Sequence, residues 1–337
     1  MVHDRRASEF LNTVLEPGYS LNRRKQDKPL DVVVAGLAVV DIIGKPIDLE
    51  HPPKKGGLRQ IEDIVLTTGG NVSNVGIDLS KLGFRVGAVT RVGEDGLAQV
   101  LMQAYVSHGL DVSGVKVDRD AQTSATMISV DRSGERTFLH TRGCMANFRS
   151  SDILSQLKLI RRAKFLVFGY LGLIPEMERE LPRLFRTVKE RTGVKILVDT
   201  GGLPHRFGKK ELRSFLSWVD YFIPSFKEAA ALTGQKKPES IVEFLFDAGV
   251  RTMVGVKLAA QGCYIATREK AVYVRAKRIK KVVDTTGAGD AFVAGFVAGM
   301  LRGFDPFQAA RIGNATAANC VTKMGASTAI QRLEHYL

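Results

Sequence analysis

Short apolar runs alternate with helical patterns along most of the chain. Residues 31–36 have the sequence DVVVAG, a β-branched run ending at a glycine that is typical of a buried strand. Between residues 73 and 82 the apolar side chains recur at helical spacing, and Gly83 follows as a stop signal. Similar patterns predict strands over 85–90, 165–168, 195–198, 221–223 and 252–256, and helices over 95–108, 176–191, 238–248 and 306–323. This alternation predicts a doubly wound, mostly parallel α/β sheet with helices on both faces.

Two segments, approximately 42–68 and 115–141, interrupt the alternation because neither carries a long helical pattern. Within the second, residues 125–130 and 136–140 alternate apolar and polar positions around a turn, which predicts a hairpin. The two segments could pair as a small accessory sheet. Residues 1–30 show little apolar periodicity, so we expect an N-terminal extension ahead of a single domain over 31–337.

The composition is that of a basic globular protein. The 337 residues carry 49 Lys and Arg against 35 Asp and Glu, a formal net charge of +14. The densest basic patch, residues 275–281, lacks interleaved aromatic residues, and no nucleic-acid-binding motif accompanies it. We therefore interpret the charge as a solvated surface with general attraction for anions, and expect no specific nucleic-acid partner.

The cysteines and the apolar runs indicate a cytoplasmic protein. Cys144, Cys263 and Cys320 are far apart and include no C-x-x-C motif, so neither a disulfide framework nor a zinc site is expected. The apolar runs are too short to span a bilayer, and no signal sequence opens the chain. These patterns predict a reducing, cytoplasmic location without a membrane partner.

A glycine-rich turn near the C-terminus is the strongest local signal. Residues 283–292 have the sequence VDTTGAGDAF, and residues 291–301 are apolar on every side, which predicts a buried helix. Gly287 and Gly289 allow a tight turn, and the start of the helix offers free N–H groups that suit a phosphate. Asp290 is either an ordinary helix-start carboxylate or a general base beside a phosphoryl group in transfer.

Other phosphate-binding motifs are missing from the sequence. It contains no G-x-x-x-x-G-K-[ST] loop, and Phe292 stands where a dinucleotide-binding turn needs its third glycine. The H-R-D and D-F-G motifs of protein kinases are also missing.

Residues 284–290 (DTTGAGD) resemble the C-terminal signature of the ribokinase-like (PfkB) carbohydrate kinases. Residues 69–74 (GGNVSN) and 91–96 (RVGEDG) resemble the N-terminal signature, in the family's order, and the resemblance covers 31–330. It implies a ribokinase-like fold in which the two accessory segments form a β lid over the acceptor and contribute to a homodimer. It also implies an ATP-dependent kinase that phosphorylates a hydroxyl of a sugar or sugar acid.

The resemblance assigns catalysis to the glycine-rich turn. Asp290 would deprotonate the acceptor hydroxyl, and the backbone N–H groups of Gly287, Ala288, Gly289 and Asp290 would form the anion hole. The implied acceptor-binding residues are Asp41, Gly69, Gly70, Asn71, Asn74 and Arg142. The alternatives are a loop role for Asp41, a polar helix position for Asn74 and a surface position for Arg142.

The resemblance also implies ATP, Mg²⁺ and a possible K⁺ ion. Residues 257–262 (KLAAQG) resemble the family's turn at the phosphates and ribose, with Lys257 where many members have Thr. Residues 224–228 (PSFKE) resemble its N-x-x-E motif, with Ser225 replacing Asn and Glu228 kept to organise Mg²⁺ through water. The implied nucleotide contacts are Ser225, Lys257, Gly262, Asn314 and Ala318, with core packing as the alternative for Ala318. Backbone oxygens of Asp284 and Thr286 could hold K⁺, although the second cation loop, 323–327, matches less clearly.

Two other functions stay open on the same residues. A nucleoside kinase would share both signatures, and Phe138 or Tyr170 could stack on a base. A non-catalytic binding relative would use the basic surface, but it would not need Asp290. The sequence does not name the acceptor.

Overall fold

The computed structural model describes residues 28–202 and 207–337. The predicted N-terminal extension therefore lies outside the described residues, except for residues 28–30. Leu30 is buried and donates its N–H to the carbonyl of Arg162 at 2.9 Å, so the chain is docked on the domain from this point.

Strands and helices alternate as the hydrophobic pattern predicts. The strands are β1 (Val32–Gly36), β2 (Val39–Lys45), β3 (Asp63–Gly69), β4 (Val86–Gly93), β5 (Asp111–Asp118), β6 (Ala125–Val130), β7 (Arg136–Thr141), β8 (Phe165–Leu171), β9 (Lys195–Thr200), β10 (Tyr221–Phe222), β11 (Met253–Lys257), β12 (Cys263–Ala266) and β13 (Ala271–Val274). The helices are α1 (Gly70–Lys81), α2 (Gly96–Ser107), α3 (Ser150–Leu154), α4 (Leu157–Ile160), α5 (Pro175–Glu178), α6 (Leu181–Thr192), α7 (Lys209–Leu216), α8 (Phe226–Thr233), α9 (Pro238–Asp247), α10 (Ala288–Leu301) and α11 (Pro306–Cys320).

The large sheet has the order β13-β12-β11-β10-β9-β8-β1-β4-β5 and is parallel except at β12 and β13. Alternate residues of β1 enter two different cores: Val32 and Val34 join one, and Val33 and Ala35 join the other. The strand is thus covered on both faces, which explains its unbroken apolar run. The chain leaves β1 towards β4 on one side and returns at β8 on the other, so a crevice opens at the carboxyl ends of β1 and β8.

A second, four-stranded sheet has the order β3-β2-β6-β7. Strands β6 and β7 form the antiparallel hairpin expected from the alternation, and β2 pairs with β6 in parallel. The predicted segment 115–141 starts too early, because residues 115–118 belong to β5 and pair with β4 at the edge of the large sheet. The action of this small sheet as a lid stays a prediction.

One predicted helix is divided in two by the structure, whereas the helix after the glycine-rich turn forms as predicted. The stretch 176–191 divides into α5 and α6, because Pro182 lies in the first turn of α6 and has no N–H for a preceding helical turn. Helix α10 is buried as predicted, and its glycines allow close packing on α11. A Cβ on Gly299 would lie only 2.8 Å from the Cα of Ala309.

Candidate active site

The start of α10 lies at the carboxyl edge of the large sheet. Gly287 precedes the helix with φ of 75°, and a Cβ there would lie 2.7 Å from the Cα of Ala326, so glycine is required twice over. The N–H of Ala288 makes only a long hydrogen bond, 3.3 Å, to the carbonyl of Thr285. Helix geometry leaves the N–H groups of Gly289 and Asp290 without intrahelical acceptors. The turn therefore offers backbone donors to an anion.

Asp290 is almost completely buried and is held by two donors from other elements. The amide Nδ2 of Asn74, on α1, donates to its Oδ2 at 2.9 Å. The hydroxyl of Tyr170, at the end of β8, lies 2.8 Å from both Oδ1 and Oδ2, which share its single proton. Burial raises the pKa of Asp290 above its ordinary value. This rise is opposed by the hydrogen bonds from Asn74 and Tyr170 and by the charge of Lys257, because all three favour the ionised carboxylate. The environment suits a carboxylate that accepts a proton during a reaction.

Lys257 brings a positive charge to the same helix start. Its Nζ lies 3.3 Å from the position that a Cβ on Gly289 would occupy, so the ammonium group adjoins the predicted anion hole. It donates to both carboxylate oxygens of Asp199, at 2.7 and 2.6 Å. Burial raises the pKa of Asp199 to about 7 against the opposing charge of Lys257. The sequence analysis missed Asp199, although its place at the carboxyl end of a buried strand was a usable signal.

The predicted acceptor side is built where β2 meets the junction of β3 and α1. Burial raises the pKa of Asp41 to about 6, and a hydrogen bond with Thr126 opposes the rise. A Cβ on Gly69 would lie 3.1 Å from the Cγ of Asp41, and Gly70 has a φ of +82° that only glycine adopts readily. Gly69 therefore lets the backbone approach the carboxylate of Asp41, while Gly70 makes room for the backbone of Leu37 and Ala38.

Asn71 has a different place from the other acceptor candidates. Its side chain is 1% exposed, and its Nδ2 donates to the carbonyl of Ala35 at 3.1 Å. A Cβ on Gly36 would lie 2.7 Å from Asn71 Oδ1, and one on Gly169 would lie 3.1 Å from its Cβ. Asn71 thus packs between the ends of β1 and β8. Its predicted contact with the acceptor is untested, and this geometry favours a structural role.

A cleft separates the small sheet from the turn at residues 284–286. Asp41 and Asn74 line it together with Ile43, Ile128 and Arg136. Arg136, from β7, crosses the cleft: its guanidinium donates to Asp284 Oδ1 at 2.8 Å and also to the hydroxyl of Thr286. This link was missed from the sequence, where Arg142 on the same segment was the candidate. Arg142 pairs with Glu176 at 3.0 Å and is not among the described residues that line the cleft.

Ser225 and Glu228 form the N-terminal capping box of α8. Glu228 Oε2 accepts hydrogen bonds from the Ser225 N–H at 3.1 Å and from the Thr200 hydroxyl at 2.6 Å. No cluster of three or more His, Cys, Asp or Glu side chains among the described residues could hold a metal by itself. Mg²⁺ commonly keeps its waters and uses one or two carboxylates with substrate phosphates, and Glu228 fits that mode.

A cavity of about 450 Å³ adjoins α11, and Lys277, Arg278, Lys280 and Ala318 contribute to its walls. Asn314 does not line it. Instead, its Nδ2 donates to the carbonyls of Val274 at 2.9 Å and Arg275 at 3.3 Å. Gly262, with φ of 102°, leaves room for the backbone of residues 274–276, because a Cβ on Gly262 would lie 2.6 Å from the N of Ala276. Of the predicted nucleotide residues, Ala318 therefore faces the cavity, while Gly262 and Asn314 shape the segment that forms its wall.

The predicted K⁺ site, formed by backbone oxygens of Asp284 and Thr286, stays a prediction, and one of these two oxygens already accepts a hydrogen bond. The carbonyl of Thr286 accepts a hydrogen bond from the thiol of Cys320 at 3.4 Å. The carboxylate of Asp284 is engaged by Arg136 and by the N–H groups of Thr286 and Gly325, and these bonds hold its pKa below the ordinary value. The guanidinium of Arg136 contacts the side chains of Asp284 and Thr286 and not their backbone oxygens, but it brings positive charge to this turn, so we carry no K⁺ into the proposed function.

A helix start with free backbone donors, a buried carboxylate and a neighbouring cleft thus lie together, an arrangement that suits a small-molecule phosphotransferase. The chain belongs to the pfkB family of carbohydrate kinases, because the family model "pfkB family carbohydrate kinase" matches residues 30–333. This confirms the predicted family and the predicted enzyme class, a carbohydrate kinase.

Among curated relatives, the 2-dehydro-3-deoxygluconokinase of Bacillus subtilis (strain 168) is 27% identical over 82% of this chain and 87% of its own. The ribokinase of Haemophilus influenzae is 26% identical over 84% of this chain and 90% of its own.

Solved structures confirm the predicted fold class. An Arabidopsis thaliana ribokinase complexed with ribose and ATP superposes with a TM-score of 0.78 at 24% identity, covering 91% of this chain and 97% of that one. An E. coli protein described as a possible ribokinase II, in complex with ATP and Mg²⁺, has a TM-score of 0.74 at 21% identity, with coverage of 91% and 97%. Among the described residues, no helix is both long and apolar enough to cross a membrane.

Proposed function

We propose that the protein transfers a phosphoryl group from ATP to a hydroxyl of a sugar or sugar acid. The observation that carries the proposal is Asp290: a buried carboxylate on the first turn of α10, beside backbone donors and hydrogen-bonded to the cleft-lining Asn74. Bound Mg-ATP supplies the phosphoryl group. Asp290 accepts the proton of the acceptor hydroxyl, and the N–H groups of residues 287–290 stabilise negative charge on the transferred group.

Lys257 extends this charge stabilisation. Its ammonium group lies beside Gly289 and is oriented by the buried carboxylate of Asp199. A preorganised cation at a helix start favours charge that develops during transfer. Glu228, oriented by its capping box and by Thr200, would hold Mg²⁺ through water.

The cavity beside α11 supports a nucleotide site at that end of the molecule. Lys277, Arg278 and Lys280 surround it with positive charge, and Ala318 offers an apolar wall. The Arabidopsis ribokinase and the E. coli protein of the same fold were solved with ATP, which favours ATP as the donor here.

The cleft supports a small polar acceptor. Asp41 can accept hydrogen bonds from acceptor hydroxyls, and Lys45 and Arg136, which pair with Asp63 and Asp284, are cationic side chains of the same cleft. Both an uncharged sugar and a sugar acid match this combination, in keeping with relatives named ribokinase and 2-dehydro-3-deoxygluconokinase. A nucleoside is less favoured, because the hydroxyl of Tyr170, one of two candidate stacking residues, is fixed on Asp290.

A cytoplasmic location remains part of the proposal. The three cysteines are free and buried, which agrees with a reducing environment. The proposed homodimer forms through the small sheet, whose exposed apolar side chains are described below.

The test is an ADP-release assay with Mg-ATP over a panel of sugars, sugar acids and nucleosides. We expect saturable turnover with at least one sugar or sugar acid. Turnover on nucleosides alone would replace the proposed acceptor class. If the folded protein turns over none of them and instead binds polyanions tightly, the non-catalytic alternative would stand.

A further inference from the structure

Tyr170 occupies an unusual position for a residue with no predicted catalytic role. It lies at the carboxyl end of β8, where the crevice of the sheet opens, and its hydroxyl lies 2.8 Å from both carboxylate oxygens of Asp290, which share its single proton. A carboxylate has about four lone-pair sites, so this shared bond and the bond from Asn74 leave room for an acceptor hydroxyl. Tyr170 can therefore stay bonded to Asp290 while the acceptor is present.

The fold provides a fitted space for the tyrosine ring. A Cβ on Gly201 would lie 2.5 Å from the Cβ of Tyr170 and 2.8 Å from its Cδ2, so only glycine can follow β9 here without displacing the ring. The N–H of Gly201 is fixed in turn on the carbonyl of Leu171 at 3.0 Å. The ring is thus held by the backbone of two neighbouring strands, which makes its hydroxyl a rigid donor.

We propose that Tyr170 is a positioning residue that fixes the orientation of Asp290 and keeps it ionised in a buried site. This inference rests on the proposed function, in which Asp290 is the base. The proton that Asp290 takes comes from the acceptor, and the phenolic proton of Tyr170 stays in place. Burial and the charge of Asp290 raise the pKa of Tyr170 well above its ordinary value, so it donates across the working pH range.

Other charged groups also act on Asp290, and they must be separated from the effect of Tyr170. Lys257, on β11, stabilises the ionised form, and Glu228, on α8, disfavours it. Asp199, on β9, and Asp78, on α1, are also coupled to Asp290 by charge. All four remain when only the hydroxyl of Tyr170 is removed. The difference between the pH profiles of wild type and Tyr170→Phe therefore reports that hydroxyl.

The experiment compares Tyr170→Phe with Tyr105→Phe in steady-state assays from acid to neutral pH. Tyr105 is a matched control, because it is fully buried and its hydroxyl is hydrogen-bonded to the hydroxyl of Ser73 at 2.9 Å. Ser73 lies on the same helix as Asn74. For Tyr170→Phe we expect kcat to fall about tenfold with the KM for Mg-ATP unchanged, as for one lost hydrogen bond to a charged group. The acid limb of the kcat profile should also move up by about one pH unit, because Asp290 loses a donor that favours its charged form.

Three outcomes decide the inference. Equal profiles for Tyr170→Phe and wild type would overturn it, and so would the same changes in Tyr105→Phe, which would indicate a general packing effect. A rise in kcat, or a lower acceptor KM, would also overturn it by showing that Tyr170 competes with the acceptor for Asp290. The variant Asp290→Asn separates a failure of the proposed function from a failure of this inference. If Asp290→Asn is active, the proposed function fails. If Asp290→Asn is inactive but Tyr170→Phe behaves like wild type, only the role of Tyr170 is overturned.

Discussion

At the scale of single residues, Asp290 carries the first prediction. Asp290→Asn keeps the shape and the hydrogen bond from Asn74 but removes the proton acceptor, so kcat should fall by about 10²- to 10⁴-fold. The measurement is ADP release at saturating acceptor and Mg-ATP. The control is Asp305→Asn, because Asp305 is also a helix-start carboxylate, capping α11 through the N–H groups of Phe307 and Gln308. If Asp290 only stabilised its helix dipole, both variants would keep near-normal turnover.

Asp41 makes a second prediction at this scale, on pH and stability. Burial raises its pKa to about 6, so between pH 4 and 6 the folded protein binds a proton that the unfolded chain releases. Its contribution to stability is present below about pH 4 and is lost as the pH rises towards 6, by on the order of 2–3 kcal/mol. Asp41→Asn should therefore flatten the decline of the unfolding free energy over this range, measured by urea titration. Parallel curves for wild type and variant would contradict the assignment.

At the scale of elements, hydrophobic patterning was enough to predict the main strands and the buried helix after residue 290. The spacing of apolar positions shows whether an element is buried on one or both faces, and these elements could be predicted because they are buried. The pattern could not show that Asp199 pairs with Lys257, or that Tyr170 reaches Asp290. Those contacts join residues far apart in sequence, and only the order of the strands brings them together. Arg136 was missed as a cleft residue for the same reason, because the orientation of a strand residue depends on its pairing register.

The link between β7 and the turn at 284–286 carries a prediction about coupling. Arg136→Met should raise the acceptor KM, because the small sheet loses its hold on the turn. It should also lower stability by about 1–3 kcal/mol, since the buried Asp284 loses a charge-assisted partner. Arg132→Met, in the loop of the same hairpin, is the matched control and should leave both quantities near wild type. Equal acceptor KM values for the two variants would refute the coupling.

The same turn predicts the response to K⁺. Cys320 bonds the carbonyl of Thr286, and the guanidinium of Arg136 brings a positive charge to the side chains of Thr286 and Asp284. The enzyme should therefore turn over as fast in a buffer with a large organic cation as with saturating K⁺. The assay varies only the cation at fixed ionic strength. Strong activation by K⁺ would restore the cation role of Asp284 and Thr286 that the sequence resemblance implied.

At the scale of the whole molecule, the small sheet presents an apolar surface that the fold does not cover. Ile42, Leu66, Met127 and Leu139 are aligned across its four strands, on the face opposite Ile43 and Ile128, which line the cleft. Ile42 packs against the core of the domain, whereas the other three side chains are exposed. Met127 and Leu139 are 58% and 67% exposed. An exposed row of this kind on a sheet indicates a protein contact, and continuity with the proposed lid favours a second copy of the chain.

Leu139→Lys should therefore convert a dimer into a monomer, because a charge buried in an apolar interface is costly unless it is paired. The mass in solution, measured by light scattering after size-exclusion chromatography, gives the answer directly. Tyr273→Lys is the control, since Tyr273 is also an exposed strand residue, but on β13 at the far edge of the large sheet. The predicted dimer contact would be contradicted if the wild-type protein is monomeric at assay concentrations, or if the Leu139→Lys variant stays dimeric. If the monomeric variant also shows a raised acceptor KM with unchanged KM for Mg-ATP, the dimer contact supports the small sheet in its proposed role over the acceptor.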